Sequence, residues 1–138
     1  MRINYSEDEN FPGQSEMWQA NCRRSIRGKQ GQEELRALRD ALLELPDKRL
    51  IHGLLTDEDG GVCAVGAYAK AKGLDLQTFD PEGETDEVGI VAGMPKLVAW
   101  KVVEMNDMEL HSGFTPEERY VKMLAWVEHQ LFPEALTA

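Results

Sequence analysis

The chain carries its strongest helix signal in Gln32-Glu33-Glu34-Leu35-Arg36-Ala37-Leu38-Arg39-Asp40-Ala41-Leu42-Leu43-Glu44-Leu45. Its leucines recur at spacings of three and four residues, which places them along one face of an α-helix. They are Leu35, Leu38, Leu42 and Leu45. Pro46 ends the pattern, because the residue before a proline is pushed out of helical geometry. The segment therefore predicts an amphipathic helix from about Gln32 to Leu45 that buries its leucine face.

Another helix is predicted upstream, where Trp18, Cys22 and Ile26 recur every four residues. Ser15 is its expected N-cap, since a serine hydroxyl accepts hydrogen bonds from the backbone N–H groups of a first turn. Gly28-Lys29-Gln30-Gly31 then predicts a turn between the two helices. This run lacks the GxxxxGK[ST] spacing and the preceding strand of a phosphate-binding loop.

The middle of the chain allows two interpretations. Leu50-Ile51-His52-Gly53-Leu54-Leu55 and Val62-Cys63-Ala64-Val65 flank an acidic Gly-Gly turn, a pattern typical of a small β-hairpin. The second arm also begins an alanine-rich segment that ends at Gly73, which favours a helix over most of Val62–Lys72. Small residues would let that helix pack closely: Ala64, Gly66, Ala67 and Ala71.

Three further helices are predicted in the second half. Two flank Gly93-Met94-Pro95, over about residues 86–93 and 95–106, and the second is mostly apolar. Asn106-Asp107 is expected to end it, with the asparagine in the left-handed conformation. Thr115-Pro116-Glu117-Glu118 is a capping box with proline at the first helical position, so the last helix starts there. Its apolar side is Tyr120, Met123, Leu124, Val127 and Leu131.

Together these patterns predict a mainly α fold, an α-helical bundle of about five helices, with one small β-hairpin near residues 50–65 as the open alternative. A length of 138 residues suits one compact helical domain, expected over 15–132. A flexible N-terminal tail, 1–14, and a C-terminal tail, 133–138, flank it. No apolar run is long enough for a membrane helix, and the two cysteines indicate a reducing, cytoplasmic compartment.

Charge is distributed unevenly along the chain. Residues 1–50 hold nine basic and nine acidic side chains, so the whole net charge of −10 lies in residues 51–138. A predicted basic patch comprises Arg23, Arg24, Arg27 and Lys29. A predicted acidic interaction surface comprises Asp80, Glu82, Glu84, Asp86 and Glu87. Direct nucleic-acid binding is disfavoured, because domains that bind through phosphates usually carry a basic net charge.

The sequence predicts no catalytic, cofactor or metal site. Asp57-Glu58-Asp59-Gly60-Gly61 resembles the start of a calcium loop, but Val62 and Tyr68 stand where such a loop needs glycine and glutamate. The three histidines are far apart, with no His or Cys at metal-ligand spacing. Cys63 lies among apolar residues and Cys22 on the apolar stripe of its helix, so both are expected in the core.

Short motifs spread over about residues 18–131 carry a family resemblance. They are Arg24-Ser25-Ile26-Arg27-Gly28-Lys29-Gln30-Gly31-Gln32, Gly61-Val62-Cys63-Ala64-Val65-Gly66-Ala67, Met105-Asn106-Asp107, Thr115-Pro116-Glu117-Glu118-Arg119 and Ala125-Trp126-Val127. In these motifs the chain resembles a group of small phage- and prophage-encoded helical proteins of unknown function. The resemblance implies a helical fold and a viral or prophage origin, and it transfers no catalytic residue.

These observations favour a non-enzymatic protein that binds and inhibits a bacterial host protein of a defence or nucleic-acid-processing system. An acidic surface can occupy a phosphate-binding groove by charge complementarity. The alternative is a nucleic-acid-associated regulator that uses the basic patch, and an enzyme whose site is assembled only in the fold is the third hypothesis. A structural or assembly role in a virion is the remaining hypothesis.

Overall fold

The computed structural model describes residues 12–80, 83–109 and 113–133. Over these residues it is mainly α-helical, at 66% helix, which confirms the predicted fold class. Its α-helices are α1 Pro12–Arg27, α2 Lys29–Glu44, α3 Ala64–Ala71, α4 Thr85–Val91, α5 Lys96–Val103 and α6 Pro116–Gln130. A 3-10 turn, Leu76–Thr78, precedes α4, and a π-helical segment, Glu104–Glu109, continues α5. None of these helices is both long and apolar enough to cross a membrane.

Helix α3 is the buried centre of the fold. Every residue from Gly61 to Ala69 is buried, and α2, α4 and α5 pack against the helix. The expected small residues explain this close packing, since a Cβ atom on Gly66 would lie only 2.6 Å from the carbonyl oxygen of Leu55. Ala71, by contrast, is exposed at the end of the helix.

Helices α1 and α2 cross at a glycine contact. Gly28 separates them as predicted, but α2 already begins at Lys29, so Gly31 lies inside the helix and not in a turn. Gly31 is buried, and a Cβ atom there would lie 2.0 Å from the carbonyl oxygen of Ser25. The backbones of the two helices therefore touch at this point. Helix α1 begins at Pro12, so the prediction of Ser15 as its N-cap is wrong.

The leucine face of α2 is buried as predicted. Leu35, Leu38 and Leu42 are fully buried, while Leu45 follows the helix and is half-buried against the core. Gln32 lies at the start of this face, where its Nε2 donates to the carbonyl oxygens of Ile26 at 2.9 Å and Gln130 at 3.0 Å. This buried amide joins the ends of α1 and α6 to α2.

The β-hairpin near residues 50–65 is absent from the described part of the chain, where one isolated antiparallel bridge, Thr56 to Val62, takes its place. Asp57 organises the turn, because its Oδ1 accepts hydrogen bonds from the backbone N–H groups of Asp59 and Gly61. The second arm of the predicted hairpin instead begins helix α3, the alternative that the sequence favoured. Cys63 is its N-cap, with Sγ accepting from the N–H of Gly66 at 3.3 Å.

The expectation that Asn106 ends α5 in a left-handed conformation is wrong. No non-glycine residue in the described ranges has a positive φ, and Asn106 lies buried within the π-helical segment. Its Oδ1 accepts from the N–H of Ala64 at 3.2 Å, and its Nδ2 donates to the carbonyl oxygen of Ile51 at 3.0 Å. The asparagine therefore caps α3 from across the fold, because it satisfies an N–H group that a helix start leaves without a partner.

The start of α6 is as predicted. Thr115 Oγ1 accepts from the N–H of Glu118 at 3.1 Å, and Glu118 Oε1 accepts from the N–H of Thr115 at 2.9 Å. The hydrogen bond from the backbone N–H of Thr115 lowers the pKa of Glu118, and the Thr115 side chain adds to this shift, because both stabilise the ionised carboxylate. On the apolar side of α6, the hydroxyl of Tyr120 donates to the carbonyl oxygen of Leu42 at 2.8 Å and fastens α6 to α2.

Candidate functional site

The predicted acidic interaction surface surrounds the start of α4. From residue 73 to residue 95 the sequence holds six Asp and Glu residues and no Lys or Arg. Asp80 is exposed before the helix, Glu84 occupies the N-cap position, and Asp86 and Glu87 lie in the first turn. Carboxylates are favourable there because the N-terminus of a helix carries partial positive charge. Glu82, the fifth predicted residue, lies outside the described residues.

A groove of about 210 Å³ opens between α4 and the chain that precedes it. Its lining residues are Phe79, Asp80, Gly83, Glu84, Glu87, Val88 and Val91. We call this the acidic groove. It brings together three of the predicted carboxylates, on Asp80, Glu84 and Glu87, whereas Asp86 is not among its lining residues.

The apolar part of the acidic groove was not foreseen from the charge pattern. Phe79 is half-buried, Val88 is buried, and Val91 exposes 64% of its surface. The neighbouring Ile90 exposes 38%. A signal for it was present in the sequence, since consecutive apolar residues in a seven-residue helix cannot all face the core.

Helix α4, which forms one wall of the acidic groove, is packed firmly on the core. Its Thr85, Val88 and Gly89 are buried, and the helix packs against α3 and α5. A Cβ atom on Gly89 would lie 3.3 Å from Cβ of Ala99 and 3.5 Å from Cγ1 of Val65, so both neighbouring helices approach closely. The buried side of α4 therefore anchors the helix on α3 and α5, and the opposite side exposes its apolar and acidic side chains to solvent.

The predicted basic patch lies at the junction of α1 and α2. Arg23, Arg24, Arg27 and Lys29 are all exposed. Arg24 Nη1 donates to Oδ1 of Asn21 at 2.9 Å, and none of the four cations forms an ion pair with a carboxylate in the described ranges. Helix α1 packs on α2 and α5, whereas α4 packs on α3 and α5, so the two charged surfaces belong to different helices.

Both cysteines lie in the core, as their sequence surroundings predicted. Cys22 is fully buried and Cys63 exposes 3% of its surface. Burial raises the pKa of Cys22 to about 11 and that of Cys63 to about 12, because the thiolate form loses its hydration. At neutral pH both side chains are therefore neutral thiols, the form that is a poor nucleophile.

A buried tyrosine forms a second polar cluster that the sequence did not reveal. The hydroxyl of Tyr68 donates to Glu34 Oε1 at 2.5 Å, and Lys72 Nζ lies 2.9 Å from the same oxygen. Burial and the adjacent carboxylate raise the pKa of Tyr68. The cluster joins α3 to α2 across 34 residues of sequence. We interpret this hydrogen-bonded contact between two helices as structural.

A larger cavity of about 520 Å³ lies beside the acidic Gly-Gly turn and contains Asp57, Glu58 and Asp75 together with Lys70. Two of its carboxylates already accept hydrogen bonds from backbone N–H groups. Asp57 accepts one from Gly61 within its turn, and Asp75 accepts one from Gln77 as the cap of the 3-10 turn. Within the described ranges, no three His, Cys, Asp or Glu side chains converge as metal ligands.

Comparison of the chain with protein-family models, with curated proteins and with solved structures gave no match.

Proposed function

We propose that this protein is a non-enzymatic binding protein whose acidic groove engages a basic surface of another protein. The observation that carries this proposal is the groove itself, which is lined by three carboxylates together with apolar side chains. A solvated acidic face needs no apolar side chains among its carboxylates, whereas a protein interface combines apolar burial with oriented charge. The two components have separate roles, because charge speeds encounter and apolar contact holds the complex together.

The proposed partner is a bacterial host protein of a defence or nucleic-acid-processing system, which this protein inhibits. Such proteins present Lys and Arg to phosphates, and an acidic protein of net charge −10 complements those surfaces. The resemblance to phage- and prophage-encoded proteins supports the same class of partner. Occupation of the phosphate-binding surface would inhibit the host protein by competition.

The test is affinity capture from bacterial lysate with three forms of the chain. The groove variant carries Asp80→Lys and Glu87→Lys, and the matched control carries Glu58→Lys and Glu128→Lys. All four positions are exposed and both variants change the net charge equally. We expect the wild type and the control to enrich the same protein and the groove variant to lose it.

The captured protein, once purified, provides the decisive measurement. Its association rate with the wild type and the control should fall as salt is raised, because salt screens the attraction between charged surfaces. The groove variant should associate slowly at all salt concentrations. Equal rates for the two variants would contradict the proposed function.

The exposed basic patch favours a second candidate function, a regulator that binds nucleic acid. Its four cations lie within seven residues and none pairs with a carboxylate in the described ranges, so they are available to phosphates. A gel-shift assay at low salt with Arg23→Ala, Arg24→Ala and Arg27→Ala tests it. Binding that is lost in this variant would support the regulator, and no binding by the wild type would exclude it.

A further inference from the structure

We infer that the basic patch of Arg23, Arg24, Arg27 and Lys29 binds the phosphate backbone of nucleic acid without reading its sequence. This inference rests on the second candidate function, the nucleic-acid regulator, and is independent of the acidic groove. It names the kind of contact that such a regulator makes. Three features of the junction between α1 and α2 carry it: uncompensated charge, a fixed backbone and a short exposed surface.

The charge of the basic patch is not compensated by nearby residues. No Asp or Glu occurs between Met17 and Gln32, and none of the four cations forms an ion pair in the described ranges. Arg24 and Arg27 lie in the last turn of α1, where positive charge favours that helix. Lys29 begins α2, where positive charge opposes the helix dipole, and the first turn of α2 holds no acidic residue to offset it. A bound anion relieves this repulsion.

The backbone of the basic patch is held in place by packing. A Cβ atom on Gly31 would lie 2.0 Å from the carbonyl oxygen of Ser25, so the first turn of α2 touches the last turn of α1. The buried Gln32 side chain donates to the carbonyl oxygen of Ile26 at 2.9 Å and fastens the same two turns together. Because the cations project from a backbone that is already ordered, only their side chains lose freedom when a ligand binds.

The exposed surface at this junction is too short to read bases. Residues 18–21 of α1 are half-buried and Cys22 is fully buried, because the helix packs on α2 and α5. The exposed positions Arg23 and Arg27 are one turn apart, about 6 Å along the helix axis. A recognition helix enters the major groove and presents side chains to base edges, which a helix half-buried up to its last turn cannot do. The patch therefore contacts phosphates, which lie on the outside of the nucleic acid.

The rest of the molecule limits how many phosphates are bound. Because the patch contributes +4 to a net charge of −10, the remainder of the chain carries −14 and repels phosphates. Contacts are therefore confined to the patch and number at most four. Each phosphate contact contributes about −0.9 to the slope of log K against log salt, so we expect a slope no steeper than about −3.6.

Fluorescence anisotropy with labelled DNA tests the inference. The probes are two short duplexes of equal length and unrelated mixed sequence, and each is titrated with the full chain at several salt concentrations. We expect binding at low salt, affinities for the two duplexes that agree within about twofold, and the shallow salt slope given above. Poly-L-glutamate, added as a competitor at equal charge concentration, should displace little of the DNA.

A matched pair of lysines separates the patch from charge in general. Lys29 and Lys96 are both exposed, and each is the first residue of a helix, α2 and α5. Lys29→Ala should weaken binding of both duplexes at least about threefold and make the salt slope shallower by about one. Lys96→Ala removes the same charge outside the patch and should leave both quantities unchanged. Equal thermal midpoints of the two variants establish that both are folded.

Several results would overturn the inference. A strong preference for one duplex would show that the sequence is read, and equal losses in Lys29→Ala and Lys96→Ala would place the contact outside the patch. Ready displacement by poly-L-glutamate would identify an acidic protein surface as the ligand. The first two results leave the nucleic-acid regulator standing and reject only the contact inferred here, whereas no binding by the wild type at low salt rejects both.

Discussion

Asn106 shows how one buried side chain can hold distant segments together. Its amide joins Ala64 at the start of α3 to Ile51 in the preceding loop, and its own carbonyl oxygen accepts from Arg119 Nη1 at 2.8 Å. The residues involved are separated by 13 to 55 positions in sequence. Arg119 is itself buried, and desolvation lowers its pKa while the charge of Asp107 opposes that shift.

Asn106→Ala is expected to lower the free energy of unfolding by about 3 kcal/mol, because it leaves the buried N–H of Ala64 and the partly buried carbonyl group of Ile51 without this partner. Asn21→Ala is the matched control, since Asn21 makes one exposed hydrogen bond to Arg24. It should change stability by less than about 0.5 kcal/mol. Chemical denaturation of both variants measures the difference, and equal losses would contradict the structural role of Asn106.

Cys63 should make stability depend on alkaline pH. Its pKa is raised from 9.0 to about 12, so above pH 9 the unfolded chain releases a proton that the folded chain keeps. The stabilisation is complete below pH 9 and is lost as pH rises towards 12. Cys63→Ser keeps an N-cap acceptor and does not titrate in this range.

Between pH 8 and pH 10.5, the wild type should therefore lose about 2 kcal/mol more unfolding free energy than Cys63→Ser. Urea unfolding of both proteins at the two pH values gives the four unfolding free energies that this comparison needs. An identical pH dependence in both proteins would mean that the Cys63 thiol is not buried from water.

The contact between helices α1 and α2 predicts that alanine at position 31 is destabilising, which is the opposite of what helix propensity alone predicts. Alanine normally stabilises a helix by about 1 kcal/mol relative to glycine. Gly31→Ala should instead destabilise the protein by at least about 2 kcal/mol, because its Cβ would lie 2.0 Å from a backbone oxygen. Both helices would have to separate to admit it.

Gly28→Ala is the control for this contact. Gly28 has a φ of −69°, and a Cβ there would lie 3.4 Å from the carbonyl oxygen of Ser25, an ordinary contact. Its thermal midpoint should stay within a few degrees of the wild type. A Gly31→Ala protein as stable as Gly28→Ala would show that α1 and α2 are not in backbone contact.

The elements also show which features a sequence can predict. The leucine spacing of α2 and the capping box of α6 are local patterns. The capping box gives the start of α6 correctly, and α2 covers the leucine segment but begins three residues earlier than predicted, at Lys29. The hairpin failed because its two arms are short and the second arm receives a helix cap from Asn106, 42 residues away. No local pattern reports a hydrogen bond over that distance.

The candidate site could likewise be predicted only in part, in its charge and not in its shape. A segment of six acidic residues without a cation is visible in the sequence, so its charge can be predicted from the sequence alone. The groove depends on which side of α4 faces α3 and α5, and this is a property of packing. Phe79 and Val91 therefore emerged as site residues only from the fold.

For the whole molecule, the acidic groove and the basic patch give two surfaces of opposite charge on different helices. We propose that the groove, supported by the buried core, is the surface that meets a partner. Photo-crosslinking in bacterial cells shows whether a partner contacts this groove. One form of the chain carries p-benzoylphenylalanine in place of Val91 and the other in place of Val121, positions of equal exposure.

We predict a discrete adduct with one host protein from position 91, its loss when Asp80→Lys and Glu87→Lys are added, and no such adduct from position 121. The same adduct from both positions would rule out the acidic groove as the specific contact, because position 121 lies outside it. An adduct from position 91 with a second copy of this chain would also contradict the proposal.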